Sequence, residues 1–170
     1  MTVQTAGEQR YYDFIGERVR SLRTGMIVWI SLLAVALIAG WNHLVIGTVL
    51  GIVGIILAVL NLRSQRELRR QLEIVGDKDS FFNQLIAPDT VEIVKFHLLI
   101  TEDYILAVRP DVVLYRLCDM KKIEVGLGRD DEKALFLTDK EGIRHELIRT
   151  REKQDTNFEQ AYQVLKHKFG

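Results

Sequence analysis

A chain of 170 residues with 23 basic and 23 acidic side chains is neutral, which argues against a whole-molecule attraction to nucleic acid or to an acidic ligand. A single cysteine, Cys118, excludes an intrachain disulfide or a cysteine metal cluster and fits a reducing cytoplasm. The neutral sum hides a segregation, because Thr24 to Leu62 contains no Asp, Glu, Lys or Arg.

Residues 1–23 read as a juxtamembrane segment. Met1 to Gln9 is small and polar and is expected to fray. Arg10 to Arg23 predicts one helix, with Tyr11, Tyr12, Ile15, Val19 and Leu22 recurring at helical steps on one face. A helix of that kind entering a membrane lays its tyrosines at headgroup level. The alternative is that this face packs against the helix leaving the membrane.

Residues 24–62 read as a transmembrane hairpin. A span needs roughly 17–25 apolar residues, and Gly25–Trp41 and Leu44–Leu62 meet that length on either side of the polar pivot Gly40-Trp41-Asn42-His43. Arg18, Arg20 and Arg23 precede the hairpin, and Arg63, Arg66, Arg69 and Arg70 follow it. Basic flanks stay cytoplasmic, so both termini are expected on the cytoplasmic side of a bacterial inner membrane, with Trp41 and His43 near the opposite interface. A cleaved signal peptide is the competing reading, since Ala34-Val35-Ala36 resembles a cleavage site. The long N-terminal segment of mixed charge and the second apolar helix speak against it. Gly47, Gly51, Gly54 and Ala58 fall on one stripe of the second helix, a spacing that lets backbones approach closely, and Ala36 and Gly40 answer on the first. The stripe serves either packing inside the hairpin or a homo-oligomer.

Residues 63–90 read as cytoplasmic linker helices. The second helix is expected to continue to Val75 and stop at Gly76 in a left-handed conformation. Arg63, Arg66, Arg69 and Arg70 then lie beside anionic headgroups, each contributing ~1 kcal/mol near the surface. Asp79 or Ser80 is the expected cap of a short helix with Phe81, Phe82, Leu85 and Ile86 on its apolar side, closed by Pro88.

Residues 91–170 change period to two. Val94, Phe96, Leu98 and Ile100 alternate with Lys95 and His97, predicting one strand with a single buried face. Tyr104–Val108 returns after Thr101-Glu102-Asp103, and Val112–Leu117 follows the turn at Pro110-Asp111. A further strand sets Ile123, Val125 and Leu127 against Lys122 and Glu124. Gly128 to Asp131 forms a polar loop before Ala134–Leu137, and Asp139 to Gly142 a hairpin turn before Ile143–Ile148. Short turns between successive strands make an antiparallel meander. Thr156 and Glu159 predict a capping box for a closing helix whose stripe is Phe158, Ala161, Tyr162, Leu165 and Phe169.

Phe96-His97-Leu98-Leu99-Ile100-Thr101-Glu102-Asp103-Tyr104-Ile105-Leu106 and Val113 to Ile123 carry a likeness. A two-helix hairpin followed by such a meander and helix resembles small bacterial membrane proteins with a cytoplasmic pleckstrin-homology-like domain. The resemblance implies a binding or scaffolding module. It also implies that phosphoinositide recognition would use a basic loop between the first two strands. Here that loop, Thr101-Glu102-Asp103, is acidic.

Catalytic signatures are not found. His43, His97, His145 and His167 have no metal-site spacing, and neither a nucleophile elbow nor a phosphate-binding glycine loop occurs. Cys118 ends an apolar strand, where a cysteine is expected as a small core residue. Asp130-Asp131 reads as a solvated turn, and no strand face interleaves aromatic and basic residues as single-stranded nucleic acid requires. Within the span Ser31, Thr48, Asn42 and His43 are the polar candidates and no Asp, Glu, Lys or Arg is present, which argues against transport by this chain alone. No enzyme activity and no cofactor are therefore expected. The expected function is a membrane-anchored, non-catalytic module in contact with membrane lipids that recognises a protein partner at Val113 and Tyr115. The alternative is a small oligomeric pore gated by the sheet domain.

Overall fold

The computed structural model describes residues 5–108, 111–152 and 154–169. The start of the polar N-terminal segment and the turn residue Pro110 lie outside the described residues. The chain forms two compact units, one being Ile15–Ile74 and the other joining Met1–Phe14 to Val75–Gly170.

The first unit is a helical hairpin. Helix α2 (Gly16–Asn42) and helix α3 (Leu44–Glu73) are both long and apolar enough to cross a membrane. They are separated by His43, whose backbone is extended at φ −141° and ψ 91°. Helix α3 ends at Glu73, and Gly76 does not adopt the left-handed conformation expected of it. Ile74 closes the helix with right-handed dihedrals instead.

The second unit begins with helix α1 (Ala6–Phe14). The single helix expected over Arg10–Arg23 is interrupted at Ile15, whose φ of −88° and ψ of 4° lie in the bridge region. Tyr11 is not an interfacial tyrosine. It is buried against helix α4 (Lys78–Leu85), edge-on to Phe81 at 6.0 Å and to Phe82 at 5.9 Å. Gly7 permits that approach, since a Cβ there would lie 2.0 Å from the Phe82 carbonyl oxygen. Asp77 caps α4, accepting the N–H groups of Asp79 and Ser80 in place of the caps expected at those two residues. Ile86, expected on the buried side, is exposed just past the helix end.

Four strands form the first sheet in the order β1 (Val91–Ile93), β2 (Leu98–Ile100), β3 (Tyr104–Val108) and β4 (Val112–Arg116), all antiparallel. The single strand expected from Val94 to Ile100 is in fact a hairpin. Val94–Phe96 is a turn of 3₁₀ helix, and His97 takes a left-handed φ of 44° that reverses the chain. Leu98, Leu99 and Ile100 are all buried because this sheet is covered on both faces. Leu99 pairs with Leu106, which pairs with Leu114; Tyr104, on that same face, meets Phe81 of α4 edge-on at 5.1 Å. Leu98, Ile100, Ile105 and Ala107 turn the other way, into the main core. A doubly covered strand loses its period of two and reads as a continuous apolar run.

The second sheet has the order β5 (Met120–Leu127), β6 (Lys133–Asp139) and β7 (Arg144–Thr150). Leu135, Leu137, Leu147 and Ile148 supply its share of the core, and helix α5 (Thr156–Phe169) adds Phe158, Ala161 and Leu165. On β5, Ile123 packs against that core while Val125 and Leu127 on the same face are exposed. Asp155, not Thr156, caps α5, because its carboxylate accepts the N–H groups of Asn157 and Phe158. That carboxylate is buried and also meets Thr150 and the Lys95 ammonium, each at 2.8 Å. Burial works against its ionisation, but these partners prevail and hold it below the usual carboxylate range.

Candidate functional site

Strand β4 is the last strand of its sheet, and among the described residues its ladder pairs with β3. Its backbone direction follows from the register. Leu117 donates its N–H to the Asp103 carbonyl at 2.8 Å, one step beyond the Tyr104–Arg116 pair. Opposed residues in an antiparallel ladder alternate between bonded and non-bonded pairs. Tyr115 and Val113, opposite Ile105 and Ala107, are therefore the bonded positions. The peptide groups of Val112, Leu114 and Arg116 point away from β3.

Edge strands are normally blunted by shortness, charge or bulges. β1 has three residues, β5 carries Lys121, Lys122 and a register shift, and β7 alternates Arg144, Glu146 and Arg149. β4 has none of these devices over Val112-Val113-Leu114-Tyr115.

The two residues singled out on β4 are both half-buried. Tyr115 packs at the margin of the main core, and burial pushes its phenol upward. Its ring lies 5.4 Å from the His145 ring on β7. His145 Nε2 is 2.8 Å from Asp139 Oδ2, and Asp139 also accepts the Ile143 N–H at 2.7 Å. The His145 contact, helped by the Ile143 N–H, holds the Asp139 carboxyl below the usual range. These groups tie the β6–β7 turn, with Gly142 at a φ of +86°, to the flank of β4.

Cys118 is exposed in the 3₁₀ turn after β4, its Sγ 3.7 Å from Asp119 Oδ1, and is not the core residue expected. Among the described residues no group of three His, Cys, Asp or Glu side chains is placed to hold a metal ion.

In the hairpin, Arg63, Arg66, Arg69 and Arg70 are all exposed on α3. The Arg70–Glu67 contact is long, at 3.9 Å between exposed groups, and contributes little. Gly47 and Gly54 are buried against α2, whereas Gly51 and Ala58 are half-buried. A Cβ on Gly54 would fall 2.7 Å from Leu33 Cδ2. Asn61, which the sequence reading passed over, joins the two helices by donating to the Leu22 carbonyl at 3.0 Å while accepting from Gln65 at 2.8 Å. The signal for it was the Asn61–Gln65 spacing of four with Gly25 available opposite, since a Cβ on Gly25 would sit 2.7 Å from Asn61 Nδ2.

Compared with protein-family models, curated proteins and solved structures, the chain matches none.

Proposed function

We propose that this chain is a membrane-anchored binding module whose α2–α3 hairpin spans a bacterial inner membrane. Its sheet domain then sits on the cytoplasmic side and recruits a protein partner by strand addition along β4. The arginines flanking both helices set the orientation, with His43 and Trp41 at the far interface. Two antiparallel sheets of four and three strands with a C-terminal helix support a pleckstrin-homology-like reading of the domain. The loop between the first two strands is residues 94–97 rather than the acidic Thr101-Glu102-Asp103 expected, and its Lys95 ammonium is held by Glu152 and Asp155, which turns the reading away from phosphate ligands and towards a peptide.

The observation that carries the proposal is the edge of β4, apolar from Val112 to Tyr115 and charged only at its last residue, Arg116. A partner strand would bond to the outward peptide groups of Val112 and Arg116, with Val113 and Tyr115 holding the strand in its ladder. Arg116 has a φ of −88°, within reach of proline. Arg116→Pro thus removes an outward N–H and leaves the β3–β4 ladder intact, whereas Arg116→Ala removes only the side chain. The intact protein is extracted from membranes and its co-purifying chains are quantified for each variant. The proposal expects both variants to fold, with the partner retained by Arg116→Ala and lost by Arg116→Pro. Retention by a folded Arg116→Pro would refute strand addition at β4.

A further inference from the structure

The arginine end of the hairpin holds a groove of about 710 Å³ between the start of α2 and the matching turns of α3. Residues Ser21, Thr24 and Val28 line it from one helix, and Leu57, Leu60 and Ser64 from the other. The two stripes are graded in the same sense. Arg20, Ser21, Thr24 and Ser64 lie towards the charged ends of the helices, while Val28, Leu57 and Leu60 lie deeper in the apolar stretch. At the outer lip Glu17 and Arg18 cancel in formal charge, which leaves Arg20 as the net positive group. Among the described residues Arg20, Ser21, Thr24 and Ser64 make no side-chain hydrogen bond or ion pair. Asn61, clamped to the Leu22 carbonyl, fixes the separation of the two walls, and Gly25 leaves the floor open above it.

We infer that this groove binds one anionic membrane phospholipid. Its phosphodiester accepts from the Arg20 guanidinium and the hydroxyls of Ser21, Thr24 and Ser64, and an acyl chain lies along Val28, Leu57 and Leu60. The match is one of charge and of polarity gradient: Arg20, Ser21, Thr24 and Ser64 offer donors at the headgroup level, where Leu22 is buried, and Val28, Leu57 and Leu60 lie below it. The volume falls in the range of roughly 300–1,000 Å³ common for small-molecule sites. The inference rests on the membrane reading proposed above.

The full chain is purified in a neutral detergent, stripped of lipid and titrated with phosphatidylglycerol or phosphatidylcholine, and bound lipid is counted by native mass spectrometry. Saturable binding of phosphatidylglycerol is expected well below the concentration at which phosphatidylcholine binds. Arg20→Gln, which removes the charge, and Ser64→Leu, which fills the groove, should each weaken it about tenfold. Lys140→Gln, exposed in the β6–β7 turn, should leave it unchanged, and excess inorganic phosphate should not compete. Equal affinity for the two lipids, unaltered binding in both groove variants, or displacement by phosphate would overturn the inference. Cell fractionation separates this failure from that of the membrane reading. Protein in the membrane fraction without lipid preference sinks only the groove, whereas protein in the aqueous fraction sinks both.

Discussion

Gly47 and Gly40 meet backbone to backbone, so that a Cβ added to Gly47 would lie 2.3 Å from the Gly40 Cα. This contact sets the distance between the two apolar helices near their connection and explains why glycine stands at position 47, whereas a Cβ on Gly40 would lie 3.8 Å from the Gly47 Cα, an ordinary contact. One turn along, a Cβ on Gly51 would be 4.0 Å from the Ala36 Cβ, within the separation of about 3.5–4.5 Å that a disulfide requires. Cysteines at Ala36 and Gly51, placed in a Cys118→Ser background, should therefore cross-link under mild oxidant. Adding Gly47→Leu should abolish that cross-link, as read by non-reducing electrophoresis after cleavage between the helices.

The second unit does not begin at Val91. Leu99, Leu106 and Leu114 face α4 rather than the main core, and Tyr11 and Phe81 complete that layer. A fragment of residues 75–170 keeps α4 over those leucines and should unfold cooperatively even without the Tyr11 ring, whereas 91–170 exposes them and should show a lower, broader transition. Within the longer fragment, Phe158→Ala should cost about 3–5 kcal/mol, because the ring is fully buried between α5 and both sheets. Urea melts of the three proteins check both statements.

Acid and alkali should each weaken this unit. Asp139 and Asp155 have carboxyls held below their ordinary range, so their contribution is complete above the unfolded value of about 4 and is lost as pH falls through the depressed folded values. Tyr11 and Tyr115 are pushed upward by burial, so the fold keeps their protons and loses stability as pH rises above about 10. Melting temperature against pH should be flat near neutrality and fall at both ends. Asp155→Asn should flatten the acid limb.

Much of this architecture was legible because its signals are local. Charge exclusion from Thr24 to Leu62 marks the two long helices, and the spacing of Phe158, Ala161 and Leu165 marks the closing helix. Where burial is two-sided the pattern fails. Val94 to Ile100 alternates on paper, yet His97 reverses the chain and Leu99 is as buried as its neighbours. Caps shifted because Asp77 and Asp155 bond to N–H groups two and three residues on, ahead of the residues expected to cap. Among the site residues, the place of Val113 and Tyr115 on one strand could be read directly. That β4 ends its sheet depends on strand order, which no local pattern encodes.

Cys118 tests the central claim, that the hairpin holds the sheet domain at the inner face of a membrane. It is the native cysteine and it is exposed on the sheet domain. A membrane-impermeant thiol reagent applied to intact cells should leave Cys118 unlabelled until the cells are permeabilised. In a Cys118→Ser background, Asn42→Cys at the helical connection should label without permeabilisation. Labelling of Cys118 in intact cells, with Asn42→Cys silent, would contradict the account.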